Sequence, residues 1–343
     1  MQRNKKYAGR VLMVLALATM MVLSACGQNA SGKIVEGKVN VVTTFYPIYE
    51  FASTIGGEDA NVINLLPTGV EPHDWTPRGQ DIVSTSKAQL FFYNGAGLEG
   101  WVPDFLKGLN SDSEVKPVEV SKGVDLILTD EDDGHNHGGT EADHDHEGEE
   151  HGEDEHHEED GHHEESADAK HTDPHTWVSP KSALIMAGNI RDSLVEADPE
   201  HKAGYDERYE ALAKKLKDLD TEFTDKLTPL TNKEIVVSHQ AFGYLARDYG
   251  LTQHSIMGLS PDAEPRAQDM LNLAKMVKEE GIRYIFFEEL VSDKLAKTLA
   301  SEAGVDTLVL NPVEGLTEQQ SKDGEDYFSL MQKNLQNLLL ALQ

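Results

Sequence analysis

The chain reads as an α/β protein of two similar lobes, each a parallel-type sheet with flanking helices, joined by one long rigid helix. Three observations predict this. Short β-branched runs alternate with helical segments from Val39 to Tyr93. The same alternation resumes from Glu234 to Leu310. Between them, an amphipathic run that restarts at Asp198-Pro199-Glu200 and ends near Leu227 is too long and too polar for a crossover inside one sheet. The expected division is therefore an N-terminal lobe over residues 39–198, a linker helix over 199–229 and a C-terminal lobe over 230–343.

Residues 1–25 read as a processing segment rather than as part of the fold. Arg3, Lys5, Lys6 and Arg10 form a basic start, and Val11 to Leu23 is apolar but short for a spanning helix. The run ends in Leu23-Ser24-Ala25-Cys26, which resembles the lipobox of bacterial lipoproteins, where the cysteine is lipidated and becomes the first mature residue. Cys26 is the single cysteine, which excludes an intrachain disulfide and a cysteine zinc site. Residues 26–38 are then a flexible tether, and the mature protein is expected to be extracytoplasmic and lipid-anchored to the bacterial cell membrane.

In the first lobe, Val39 to Phe45 reads as a buried strand and Pro47 to Ile55 as a helix with proline in its first turn. Asn61 to Leu66 is a second strand. The loop after it carries Pro72-His73-Asp74-Trp75, and Thr76-Pro77 is expected to open the next helix. Gln89 to Tyr93 is a third strand. In parallel sheets ligands bind beyond the carboxyl ends of the strands, which is where His73 falls. A lone loop histidine is usually a surface residue. The Pro-His-x-Trp frame recurs as Pro174-His175-Thr176-Trp177, and that repetition marks both histidines out.

Gly95-Ala-Gly-Leu-Glu-Gly100 matches G-x-G-x-x-G and follows a strand, so dinucleotide binding competes here. That fingerprint should open the first strand–helix unit and have an acidic partner about twenty residues on, at the end of the next strand. This run follows the third strand, and Glu119 lies inside a strand candidate. A tight turn into a short helix over Trp101–Leu109 fits better.

Residues 130–170 form an insertion that cannot fold alone, because it has almost no apolar side chains to offset ordering the backbone. From Asp130 to Glu165 it holds 18 acidic residues, nine histidines and no Lys or Arg. Acid alone would serve as a solvated linker, but the imidazoles of His135, His137, His144, His146, His151, His156, His157, His162 and His163 point to weak transition-metal binding. The tract supplies −18 of the formal net charge of −31. With no basic patch elsewhere, nucleic acid is excluded as a partner.

Pro180 to Val195 and the run to Leu227 are helical, and His201 is read as a solvated helix residue. Glu234 to Val237 is a strand followed at once by Ser238-His239, with a helix from Gln240 to Tyr249. Leu251 to Ile256 is a strand in which His254 is a packed or edge residue. Arg266 to Glu280 is a helix. Arg283 to Phe287 is a strand ending in Glu288-Glu289. Ser292 to Ala303, Val305 to Leu310 and Tyr327 to Leu342 read as helix, strand and helix. Four strand-end candidates result: His73, His175, His239 and Glu288. Three imidazoles and one carboxylate make a tetrahedral set suited to Zn2+.

These motifs, with Gly258 to Pro265 and Ile285 to Glu288, resemble the zinc-specific solute-binding lipoproteins of ABC importers, the ZnuA/AdcA type of the metal-receptor family. The resemblance spans the mature chain. It implies two α/β lobes holding the ion between them, a monomer, and delivery of Zn2+ to an ABC permease and its ATPase. The third ligand of the family is His in zinc receptors and Glu in manganese receptors; here it is His239, which implies zinc over manganese or another transition metal. A His/acid insertion before the second ligand is typical of the zinc branch. The fourth ligand varies in the family, leaving Glu288, Glu289 or water. Some members carry a further C-terminal zinc-binding domain, which this chain is expected to lack. Two other classes compete. A zinc-dependent hydrolase would need a general base, and neither H-E-x-x-H nor G-x-S-x-G occurs. A surface adhesin has no direct sequence signal.

Overall fold

The computed structural model describes residues 33–129, 171–262 and 264–343. Cys26, the segment before it and the nine histidines from His135 to His163 lie outside the described residues.

The first sheet is built by β1 (Val39–Thr43), α1 (Tyr46–Gly56), β2 (Ala60–Asn64), α2 (Gly79–Thr85), β3 (Leu90–Tyr93), α3 (Val102–Lys107) and β4 (Lys116–Glu119). Its strand order is β2-β1-β3-β4, parallel throughout. β1 is buried at every position, as a central parallel strand covered on both faces should be. α2 begins later than its sequence suggests. Arg78, not Thr76, precedes the first turn, because Asp81 reaches back to accept from Arg78 N at 2.6 Å and so closes that end.

β5 (Leu128–Thr129) and β6 (His171–Thr172) form an antiparallel pair in which Thr129 faces His171. The two ends of the His/acid insertion are thus tied together four residues before His175. α4 (Pro180–Ala197) and α5 (Lys202–Leu227) follow, separated by a single 3-10 turn at Pro199–His201.

The second sheet consists of β7 (Glu234–Val237), α6 (Gly243–Tyr249), β8 (Thr252–Ser255), α7 (Ala267–Glu279), β9 (Tyr284–Phe287), α8 (Lys294–Ala303) and β10 (Asp306–Val309), in the order β10-β9-β7-β8 and again parallel. α9 (Glu318–Asp323) and α10 (Tyr327–Leu342) close the chain. α6 starts at Gly243 instead of Gln240. Gln240 N is bound to Gly258 O and Phe242 N to Gln253 Oε1, so the stretch after His239 stays an open turn. His254, on the edge strand, pairs with Glu234 at 2.7 Å.

One face of α5, carrying Tyr205, Leu212, Leu216, Leu219, Phe223 and Leu227, is buried in a core that also takes Val41 from the first sheet and Ile235 and Val237 from the second. The spine therefore packs into both lobes through apolar contact, the largest favourable term in folding. Among the described residues no helix is long and apolar enough to cross a membrane.

Candidate metal centre

Each of the three strand-end histidines is held by its own local frame. The loop after β2 runs across to the other lobe, where Gly69 N donates to Leu316 O at 2.9 Å. Glu71 then folds under the next turn and accepts from His73 N at 2.9 Å. For His175 the frame is Asp173, whose Oδ1 accepts from His175 N at 2.9 Å and from its ring Nδ1 at 2.8 Å. Asp173 is wholly buried, and Gly243 makes room for it: a Cβ at Gly243 would stand 2.3 Å from Asp173 Oδ2. His239 has Glu288, whose Oε1 accepts from the ring Nδ1 at 2.6 Å and also from Ser238 Oγ.

An acceptor-only carboxylate on Nδ1 requires a proton there. In His175 and His239 the Nε2 is therefore the nitrogen turned to the centre, the arrangement by which a carboxylate behind an imidazole orients a metal ligand. The Nε2 of His175 lies 3.2 Å from that of His73 and 3.2 Å from that of His239. Facing them is Glu314 Oε1, at 3.6, 3.4 and 3.6 Å from the Nε2 of His73, His175 and His239. A regular tetrahedron with edges of the five lengths given has its centre ~2.0–2.2 Å from each corner, which is the length of zinc bonds to imidazole and carboxylate. All four residues are buried, and Glu314 Oε1 has no hydrogen-bond donor of its own. An orphaned buried carboxylate oxygen aimed at three nitrogens is what a cation would complete.

Glu314 sits in the loop after β10. Its aim depends on two features. Val313 is held in the left-handed region at φ 59, with its N–H bound to Asn311 Oδ1 at 2.7 Å. For a β-branched residue this conformation costs about 1–3 kcal/mol and persists only where the surroundings impose it. Trp177, fully buried and packed beside the His175 ring, donates from Nε1 to Pro312 O at 2.7 Å. The second Pro-His-x-Trp frame thus also locates the fourth corner.

The electrostatics are those of a site that holds protons when no cation is present. Burial lowers the His73 imidazole, and it ends below the usual value. Burial also opposes charge on His175 and His239. In His175 the hydrogen bond to Asp173 and the Glu314 carboxylate 3.4 Å away more than offset it, and the imidazole is raised. In His239 the charge of Glu288 and its hydrogen bond do the same, and it ends well above the usual value. Burial would raise Glu314, but the imidazoles of His175, His239 and His73 at 3.4–3.6 Å hold it well below the carboxylate range.

His73, His175 and His239 are thus brought to one point. Glu288 is not the fourth corner. It is taken up by His239 Nδ1 and Ser238, on the far side of the ring from the centre, because β9 ends where its carboxylate meets the back of that imidazole. Glu289 points away and accepts from Asn311 Nδ2 at 2.8 Å and Gln320 Nε2 at 2.5 Å. The residue missed in the sequence is Glu314. Its signal was the strand-end rule itself, applied one strand later, to the loop after β10. Trp75, from the same frame as His73, packs edge-on against Trp101 at 5.6 Å.

The ZnuA family model, described as zinc-uptake complex component A periplasmic, matches residues 41–341. The chain is 43% identical over 332 residues to the zinc-binding protein AdcA of Streptococcus pyogenes, covering 97% of this chain and 61% of that protein. It therefore spans under two thirds of the length of such relatives. It is 39% identical to the high-affinity zinc uptake system protein ZnuA of Bacillus subtilis, covering 97% of both. Among solved structures, the Zn(II)-bound ZnuA-like domain of Streptococcus pneumoniae AdcA superposes with a TM-score of 0.69 at 38% identity, covering 89% of this chain and 99% of that one. The motifs, the two parallel sheets and the buried three-histidine cluster agree with these matches, and the chain belongs to the ZnuA family.

Proposed function

We propose that this chain is a high-affinity extracytoplasmic receptor that binds one Zn2+ ion through His73, His175, His239 and Glu314 and delivers it to an ABC permease and its ATPase. The observation that carries this reading is the set of three Nε2 atoms and one carboxylate oxygen, with His175 Nε2 3.2 Å from each of the other two nitrogens and Glu314 Oε1 3.4–3.6 Å from all three. Three nitrogens and one oxygen in a closed tetrahedron favour zinc over manganese, calcium or magnesium, which take more oxygens at larger coordination numbers. The relatives named for zinc binding and zinc uptake support the same cargo.

The role is capture, not chemistry. A catalytic zinc keeps one position open for water, and here a buried carboxylate faces the fourth position. Residues 39–198 and 230–343 would act as the two jaws and residues 199–229 as their hinge-free spine, with the ion between them. Cys26 would carry the lipid anchor, in keeping with a relative named zinc-binding lipoprotein. The histidines of the 130–170 insertion would gather zinc weakly beside the deep site. The receptor would work as a monomer.

Calorimetric titration of the mature protein with zinc, beside His239→Ala, tests the proposal. One tight site in the parent and none in the variant is expected. A tight site that survives His239→Ala, or zinc-dependent hydrolysis of ester or phosphoester substrates by the parent, overturns it.

A further inference from the structure

The G-x-G-x-x-G run is a sequence motif that the ion-binding residues do not account for. A phosphate-binding loop leaves its backbone N–H groups open to the ligand. Here the chain's own Glu99 fills that position. Its Oε1 accepts from Asn94 N at 2.8 Å and from Thr44 Oγ1 at 2.7 Å, and its Oε2 accepts from Gly95 N at 3.1 Å. Winding the loop round this carboxylate takes three successive left-handed residues, Gly95 at φ 79, Ala96 at φ 52 and Gly97 at φ 94. Gly95 also has no space for a side chain, since a Cβ there would lie 2.4 Å from Glu119.

What the wound loop presents is Asn94, a side chain with no exposed surface. Its Nδ2 donates to Pro174 O at 2.8 Å and to Gly95 O at 3.0 Å, and its Oδ1 accepts from Thr176 Oγ1 at 2.8 Å. Pro174 and Thr176 are the residues on either side of His175. Asp173 orients the His175 ring, whereas Asn94 grips the backbone from which that ring hangs. Glu99 also lines one small cavity with Pro72 and Trp75, the frame of His73. We propose that Asn94, locked in place by the Glu99-centred loop, is a positioning residue for the ion site: it brackets His175 and pre-sets its distance from the other three ligands, so that the bound ion is released slowly.

The proposal rests on the reading of the cluster as a zinc site. Its physical basis is preorganisation: a ligand held within about 0.5 Å of its bound position need not be ordered when the ion arrives. Each corner of the tetrahedron touches the ion directly, so slack in the His175 backbone becomes slack in one zinc–nitrogen bond.

The test uses the full mature chain. Zinc release is timed by chelator competition, the site geometry is read from the visible absorption of the Co2+-loaded protein, and the melting temperature is taken without metal. Asn94→Ala is expected to release zinc about tenfold faster, the lower end of what outer partners of metal ligands contribute, and to shift the Co2+ bands. Glu99→Gln should act in the same direction, because its amide cannot accept from both Asn94 N and Gly95 N while its NH2 opposes one of them. Asn94→Asp keeps the acceptor for Thr176 and loses the donor to Pro174 O; it carries the test if the alanine variant does not fold.

Asn189→Ala is the control. Asn189 also clamps two backbone carbonyls of the same lobe, Val120 O at 2.9 Å and Lys122 O at 2.7 Å, with no contact to the site. It should lower the melting temperature while leaving zinc release and the Co2+ spectrum unchanged. If Asn94→Ala releases zinc as the parent does, or if Asn189→Ala changes release and spectrum equally, the bracket is refuted and the zinc site stands. If the parent itself binds no zinc, the zinc-site reading falls and the bracket falls with it.

Discussion

Replacing Glu314 and Glu288 one at a time by glutamine separates a carboxylate that faces the ion from one that stands behind a ligand. Glu314 Oε1 lies 3.4–3.6 Å from three imidazole nitrogens, at the fourth corner of the tetrahedron. Opposite unit charges ~4 Å apart are worth about 4 kcal/mol at the effective dielectric of a protein site. With ~1.4 kcal/mol per decade, loss of that charge should weaken zinc binding on the order of a thousandfold. Glu288 instead holds His239 Nδ1 at 2.6 Å. A hydrogen bond to a charged group contributes about 1.5–3 kcal/mol, so Glu288→Gln should cost about ten- to a hundredfold, as outer partners of metal ligands usually do. Competition titration against a chromogenic chelator covers both ranges. A larger loss in Glu288→Gln than in Glu314→Gln would refute the assignment and restore Glu288 as the direct ligand.

Zinc binding should tighten as pH rises through neutrality. His175 and His239 are raised by their carboxylate partners and hold protons that the ion must displace, whereas lowered His73 competes little. Calorimetry in buffers of different ionisation enthalpy should therefore register net proton release on loading, and a pH-independent affinity would contradict this. Gly243→Ala would force a methyl group to 2.3 Å from Asp173 Oδ2. The overpacking should cost about 1–3 kcal/mol in urea unfolding and also weaken zinc binding, because Asp173 is the partner of His175. Trp177→Phe keeps the packing against Phe45, at 4.6 Å, but leaves the buried Pro312 carbonyl without its donor. About 1–3 kcal/mol of stability should be lost in the same assay. Deletion of residues 135–163 should remove several weak zinc sites and leave one tight site. Loss of the tight site would show that the insertion belongs to it.

The alternation of strands and helices made both sheets legible, because a parallel strand buried on both faces is mostly apolar, as Val39-Asn-Val-Val-Thr43, Ile235 to Val237 and Tyr284 to Phe287 are. Helix starts were less legible. α2 and α6 begin two or three residues late because Asp81, Gly258 and Gln253 take the backbone groups that a first turn would have used. The G-x-G-x-x-G run shows the same limit. The tight turn expected there is wound through left-handed Gly95, Ala96 and Gly97, but only the fold reveals that Glu99 occupies the position where a phosphate would otherwise bind.

The three histidines were accessible from the chain alone because each signal is contiguous: His73 and His175 share a Pro-His-x-Trp frame, and His239 follows a strand directly after Ser238. Their convergence and the identity of the fourth corner were decided only by tertiary structure. With 61 acidic residues in the chain, a carboxylate at a strand end carries little information by itself. Glu314 is selected by a bond from Trp177 to Pro312, 135 residues away, and by the left-handed turn at Val313. Such contacts exist only once two sheets have packed on one helix, so no local pattern encodes them. Glu288 was set aside by the same packing, because the position it reaches is the back of an imidazole and not its face.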